Sequence, residues 1–459
     1  MVNTAHSRTT SIFSYNIPVP IKESMRPLPL FMARALKALF CMLLLATLCL
    51  YGAIETMFNM TGHRYWPKFA VGAWRSQENN KTATYQHHRT LVDVKEGVYS
   101  SHEHGQNNNS VKHSILWYKK PGWINLDSAN DAISRVCYYQ NCFMTDDNSI
   151  SIHNHSAIVF TMTEQNDFSP PIRRVDTRPD QVWLFFGLES PINHKFIGHR
   201  HKSWLNTMNW SMSYRTDSDI FFPYGMLSTL QPGGKPAQPS VFSRKTKHAA
   251  WIVSNCRADS MRDEYVQEMI DFGLKVDMFG RCSGSEFSDI SELQRTIESD
   301  YKFYLSFENS FCTDYITEKF FRYFSWEVVL VTRGGANYSR LLPQNTYIDT
   351  ARFQSAKELV VYLLEIADSE DKYMHYLNEK SKYSSTEFVP SPYCSICAKL
   401  NKLAEYRKSY SDHVTYIHED FCWAPHDLSK FHISITMYVI IGCFTTICMF
   451  VCVRKWCQC

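Results

Sequence analysis

The sequence predicts a two-lobed α/β protein: parallel sheets covered by helices, a cleft between the lobes, and a hydrophobic segment near each end. Three observations carry this expectation. Short apolar runs bounded by turn residues alternate with segments of helical period. A loop rich in Pro and Gly, LQPGGKPAQP at 230–239, interrupts that alternation once. Two apolar stretches without Lys, Arg, Asp or Glu, at 38–54 and 431–453, flank the rest. A chain of 459 residues has room for two cores plus appendages.

Residues 1–37 form a polar tail whose Arg34 and Lys37 stand just before the run ALFCMLLLATLCLYGAI at 38–54, with Glu55 after it. Positive charge ahead of the span holds the tail in the cytosol, and so long a tail argues for a signal anchor over a cleaved signal peptide. Residues 55–112 are polar and pattern-poor, ending in SHEHGQNNNS, and read as a stem. His102, His104 and His113 there read as solvated side chains rather than metal ligands. The first lobe, 113–232, has strands at 115–118, 157–161 and 182–186. The second, 240–390, has strands at 249–254, 276–279, 303–307 and 328–331. Its helices are expected at 260–272, with Ser260 as N-cap, and at 292–300, 317–324 and 356–367. Residues 391–430 close this part. The run 431–453 is a second transmembrane helix, and Arg454 and Lys455 make 454–459 cytosolic. Everything between about 55 and 430 then faces a lumen. Cys457 and Cys459 are palmitoylation candidates beside the membrane.

Lys and Arg number 48 against 45 Asp and Glu, a formal charge of +3, so nothing points to nucleic acid as a partner. The 14% aromatic content suits either a sugar-binding cleft or a Tyr/Phe-rich core. Eight cysteines fall in the lumenal part: Cys137, Cys142, Cys256, Cys282, Cys312, Cys394, Cys397 and Cys422. An even number in an oxidising compartment reads as disulfides. The CSIC motif at 394–397 lacks the second CxxC or His pair that a zinc site would need. Asn59, Asn80, Asn108, Asn154, Asn209 and Asn337 open N-glycosylation sequons, all inside the proposed lumenal part.

The chemistry concentrates in YKFYLSFENS (301–310) and DYITEK (314–319), where an apolar strand runs into a polar loop and then a helix. Ligands of open α/β sheets sit at the carboxyl ends of strands, where helix N-termini aim N–H groups at phosphate. Glu318 can accept from both ribose hydroxyls, and Lys319 can neutralise a pyrophosphate. A capped helix with an exposed Glu-Lys pair has the same spacing.

This block resembles the donor-binding signature of the Golgi α1,3-fucosyltransferases, the family that uses GDP-β-L-fucose, including its core α1,3 members. Three further blocks share the resemblance in order and spacing: VWLFFGLESP (182–191), NWSMSYRTDSDIFFPYG (209–225), and KHAAWIVSN (247–255) followed by Arg262. The resemblance implies two Rossmann-like lobes of GT-B type, acceptor lobe first and GDP-fucose lobe second. It makes Glu189 the general base of an inverting transfer. Arg262 and Lys319 would stabilise the leaving pyrophosphate, Glu318 would hold ribose, and Asn309 and Tyr315 would line the donor pocket. It ties Cys394 and Cys397 to Cys142 and Cys137. It implies a Golgi membrane enzyme with no required cofactor and no metal ligand, although Mn²⁺ or Mg²⁺ could stimulate it. Asp217-Ser218-Asp219 has the Asp-x-Asp form of a metal ligand, but lies far from the donor block and reads as an interlobe structural element.

The sequence departs from the family in two places. VVLVTR (328–333) stands where Val-Pro-Val-Val-x-Gly is usual, and Tyr323 where Asn is common. The second membrane span also lies outside the family's single-anchor plan. The implied acceptor is a GlcNAc of glycoprotein N-glycans. TEKFF (317–321), and VFTMT (159–163) without paired His, lean to the core GlcNAc over an antennal, Lewis-type one. Fucose transfer to protein Ser/Thr and a non-catalytic lectin-like role are the competing readings.

Overall fold

The computed structural model describes residues 89–93 and 111–428, except 165, 195–196, 231–235, 285–288 and 420, together with Gly442. No helix among the described residues is long and apolar enough to cross a membrane. The two expected spans lie outside the described residues, Gly442 apart, as do Asn59, Asn80, Asn108 and both expected cytosolic tails.

Both expected sheets form, and both are entirely parallel. The first has the spatial order Cys142–Thr145, His113–Tyr118, Ala157–Thr161, Val182–Gly187, Trp210–Ser213, Ile220–Phe221. The second runs Val276–Phe279, Lys247–Ile252, Tyr301–Phe307, Val329–Arg333, Tyr347–Asp349. Numbered along the chain within each lobe, both begin 2-1-3-4-5, the doubly wound order. The central strands are apolar at nearly every position because helices cover both faces. In Ala157–Thr161 all five residues are buried, and so are all five of Val329–Arg333.

A doubly wound sheet changes direction between its first and third strands, and a crevice opens at their carboxyl ends. In the second lobe that point follows Ile252 and Phe307, so it is bordered by Asn255 and by Glu308 and Asn309. The helix leading away is Arg262–Asp271. Ser260 is not its N-cap. Met261 occupies that position in a left-handed conformation (φ 48°), while the Ser260 hydroxyl donates to the Glu308 carbonyl at 2.6 Å. A hydroxyl spent on the neighbouring loop cannot also cap the helix.

The lobes are stitched by elements the periodicity does not reveal. Met226–Thr229 pairs in parallel with Val92–Asp93 and antiparallel with Tyr383–Thr386. The end of the expected stem therefore belongs to the folded body: Leu91 is buried, and Arg89 donates to the carbonyls of Thr216 and Ser218. His113 lies in a strand with Nδ1 beside the Ser156 hydroxyl, not in a solvated stem.

Residues 391–428 return to the first lobe. Helix Ser391–Asn401 carries Cys394 and Cys397, bonded to Cys137 and Cys142. Cys312 joins Cys422, and Cys256 joins Cys282, so all eight cysteines named above are paired. The Asp-x-Asp motif anchors the same returning segment. Asp217 accepts from Arg215 and the Tyr416 hydroxyl, and Asp219 from Ser211, Lys408 and Tyr410. Donors already fill the directions a metal would need. Thr216 next door links the lobes, its N–H and hydroxyl both donating to Asp314.

Candidate active site

Glu189 ends the loop after strand Val182–Gly187, at the carboxyl edge of the first sheet. Its Oε1 accepts from its neighbour's N–H, Ser190, at 2.7 Å and from the Tyr315 hydroxyl at 2.8 Å. Tyr315 belongs to the donor block of the second lobe and is 1% exposed. It does not line an open donor pocket; it packs against Tyr214 (centroids 5.0 Å apart) and points its hydroxyl across the interface. Ser190 and Ser310 face each other at 2.8 Å, and the Asn193 amide donates to both hydroxyls. The Glu189 loop and the donor block are thus in direct contact. A cavity of about 30 Å³ opens beside Glu189, lined by Phe185, Tyr214, Arg215, Tyr416 and Phe421 among others. It has room for a water or two.

On the other side of that interface, strand Tyr301–Phe307 delivers Glu308 into the interior at 1% exposure. The Glu308 carboxylate accepts from the Thr317 N–H (2.8 Å) and hydroxyl (2.8 Å), and lies 3.5 Å from the Lys319 ammonium. Thr317 is also the N-cap of helix Glu318–Phe321, so one residue fixes both the cap and the buried acid. Lys319 bonds the Thr317 hydroxyl at 3.0 Å and Glu318 at 3.1 Å. Burial pushes the Glu308 carboxyl up against the pull of Lys319, and the net shift is upward. Burial works to lower the Lys319 amine, but Glu308 and Glu318 outweigh it and hold it above its ordinary value. Glu318 resists burial in turn through Lys319, and its carboxyl is held down. At neutral pH the block therefore presents a firmly charged ammonium at the mouth of a helix N-terminus.

Arg262 differs from expectation. It is 3% exposed, with its guanidinium donating to the Phe307 (2.7 Å) and Asn255 (3.0 Å) carbonyls. In this geometry it braces the crevice between the first and third strands. Its Nε has no partner, nor does the Oδ1 of Asn309, the residue whose carbonyl receives the Ser260 N–H. Native interiors leave few buried polar atoms unpaired, and two of them border this crevice.

The strand that lost its Pro and Gly keeps a straight parallel register, Leu330 opposite Tyr347 and Val331 opposite Ile348. Arg333, where the family has Gly, is fully buried. It donates to the Ser260 carbonyl (2.8 Å) and Asp427 (2.7 Å), between the rings of Tyr265 and Phe311. A close approach that only glycine allows occurs two residues on, at Gly335, where a Cβ would fall 2.4 Å from the Cys312 nitrogen. Tyr323 packs at a tilt against Tyr304, ring centroids 4.4 Å apart.

Of the described sequons, Asn154 and Asn337 are exposed. The Asn209 amide is engaged internally: it accepts from Trp183 N–H and donates to the Lys408 carbonyl, both at 2.9 Å. That makes it a poor attachment point.

Two parallel-sheet lobes bring a carboxylate at the edge of one against the lysine-bearing loop of the other, and the family match makes the chain a glycosyltransferase. Residues 110–225 match the family model described as fucosyltransferase, N-terminal, and residues 242–416 that described as glycosyltransferase family 10 (fucosyltransferase) C-term. The chain is 32% identical to alpha-(1,3)-fucosyltransferase C of Drosophila melanogaster, over 66% of this chain and 77% of that one. It is 36% identical to the Homo sapiens 4-galactosyl-N-acetylglucosaminide 3-alpha-L-fucosyltransferase FUT5, over 58% of this chain and 70% of that one. Among solved structures, that of an alpha1,3-fucosyltransferase with GDP-fucose is similar at 14% identity and a TM-score of 0.39, covering 58% of this chain and 81% of that one. That likeness is too loose to carry residue roles across. The chain belongs to the family 10 fucosyltransferases.

Glu308 is the site residue that the sequence reading missed. A Glu in a polar loop reads as solvated, and its burial depends on Thr317 folding back onto it nine positions later. With Lys319→Ala, Glu308 loses its counter-charge and the site its ammonium. A fall of about 10²–10³-fold in kcat is expected, with a lower melting temperature from the uncompensated buried acid. Steady-state kinetics and thermal melts check both.

Proposed function

We propose that this fucosyltransferase moves L-fucose from GDP-β-L-fucose onto a GlcNAc of glycoprotein N-glycans in α1,3 linkage, with inversion. The observation that carries the reading is the contact of Glu189 with the donor block through Tyr315, at 2.8 Å. It puts a carboxylate on the acceptor side within one side chain of the nucleotide side. Glu189 takes the proton of the attacking hydroxyl while that oxygen displaces GDP from the anomeric carbon. One displacement inverts the centre, so one base suffices. Lys319 receives the charge that develops on the diphosphate, Glu318 holds ribose, and Asn309 turns its unpaired oxygen to the donor. Arg262 acts from behind, holding the loops at Asn255 and Phe307 in place. No step calls for a metal ion or other cofactor.

The same reading puts the chemistry on the lumenal side of a Golgi membrane, with segments 38–54 and 431–453 as anchors and both termini cytosolic, on the charge pattern of the sequence. Four paired disulfides suit that oxidising compartment.

The core GlcNAc is the favoured acceptor, on the spelling of 317–321 and 159–163. A specific observation favours the antennal GlcNAc instead: the human relative is named for a 4-galactosyl-N-acetylglucosaminide. Labelled GDP-fucose offered with N-glycans bearing a free core GlcNAc, and with N-acetyllactosamine, separates them. Label in the core supports the first reading, label only in N-acetyllactosamine supports the second, and no label in any glycan removes both.

A further inference from the structure

Four histidines far apart in sequence meet behind Glu189. His194 follows the short helix Pro191–Asn193, His199 lies in Gly198–Arg200, and His413 and His418 bound helix His413–His418 of the returning segment. His194, His199 and His418 each bring a ring nitrogen within 4.8 Å of the other two. The rings of His199 and His418 are stacked at 5.9 Å, and His194 meets both edge-on at 5.8 and 5.6 Å. His199 is fully buried, His194 is 9% exposed and His418 is half-buried.

The hydrogen bonding makes this more than packing. Nδ1 of His194, both nitrogens of His199 and Nε2 of His418 are buried without a partner. Each such atom is costly when nothing satisfies it, and native interiors hold few of them. The Glu189 carbonyl stands 3.2 Å from His194 Nε2. A carbonyl only accepts, so Nε2 carries the proton and Nδ1 presents its lone pair to the cluster.

We propose that His194, His199 and His418 form a transition-metal site, with Zn²⁺ as its ion, that pins the returning C-terminal segment to the Glu189 loop. Three imidazoles with no carboxylate or thiolate among them suit zinc and its neighbours, not Mg²⁺, Ca²⁺ or Mn²⁺. Tetrahedral zinc with bonds of about 2.0–2.1 Å sets its nitrogens about 3.3 Å apart, so the rings draw inward by up to about 1.5 Å on loading. Three imidazoles leave a fourth ligand position of a tetrahedral ion to water. The ion's place is structural: it replaces unpaired nitrogens with bonds and holds the Glu189 loop in register.

The test reads metal directly, so it stands whether or not fucose transfer is found. The purified full chain is stripped with a chelator, reloaded with zinc, dialysed and analysed for metal and melting temperature. About one zinc per chain, with a melting temperature that falls on stripping and returns on reloading, is expected. His418→Gln should lower zinc affinity at least 10-fold, while His153→Gln, an exposed histidine outside the cluster, should bind as wild type. Zinc absent after reloading, or retained equally by His418→Gln, overturns the proposal. If His418→Gln fails to fold, cobalt loaded into the wild type gives the visible spectrum of a tetrahedral nitrogen site, and its absence overturns the proposal as well.

Discussion

Glu189→Gln is expected to lower kcat by about 10²–10⁴-fold while leaving GDP affinity and melting temperature close to wild type. The amide keeps the size of the carboxylate, and its oxygen can still accept from Ser190 N–H and the Tyr315 hydroxyl, the two bonds that hold Glu189 now. It cannot take a proton. Fluorescence titration with GDP and a thermal melt separate this from unfolding. A variant that keeps full kcat would assign the proton to another group. A loss of GDP affinity equal to the loss of rate would make Glu189 a positioning residue for the donor block instead.

The second large effect concerns the paired bridges on helix Ser391–Asn401. Cys137–Cys394 and Cys142–Cys397 span 257 and 255 residues but join the same two neighbourhoods. With one bridge in place, the other closes a loop of only about eight residues. In the chain-entropy treatment its removal costs roughly 2.5 kcal/mol, whereas losing the last bridge releases a loop of over 200 residues at about 5 kcal/mol. Cys397→Ala with Cys142→Ala should therefore be mild. Removing all four cysteines should cost well over twice as much and free the returning segment from the acceptor lobe. Denaturant unfolding of the three proteins measures it, and equal steps would contradict the loop-closure explanation.

The parts of this molecule legible in the sequence are those set by local pattern. Apolar runs at 157–161, 182–186 and 303–307, bounded by turn residues, read as buried parallel strands, and the polar loop after Phe307 marked the crevice. What escaped depends on chain segments meeting from afar. Glu308 looks solvated until Thr317 and Lys319 close over it. Ser260 looks like a helix cap until the Glu308 carbonyl claims its hydroxyl. Arg333, a charged residue ending an apolar strand, gives no local sign of the Asp427, Tyr265 and Phe311 that bury it. The histidine cluster joins 194 and 199 to 413 and 418, a spacing no motif describes. The short strands Trp210–Ser213 and Met226–Thr229 lack a pattern long enough to declare themselves, and their neighbours supply the pairing.

The stereochemistry of the product tests the central claim most directly. The full chain, supplied with GDP-β-L-fucose and a GlcNAc-bearing glycan, is expected to yield a fucoside whose anomeric proton coupling is that of the α-linkage, formed from a single carboxylate acting across the interlobe contact. A β-linked product, or a fucosyl-enzyme intermediate trapped on Glu189, would contradict it.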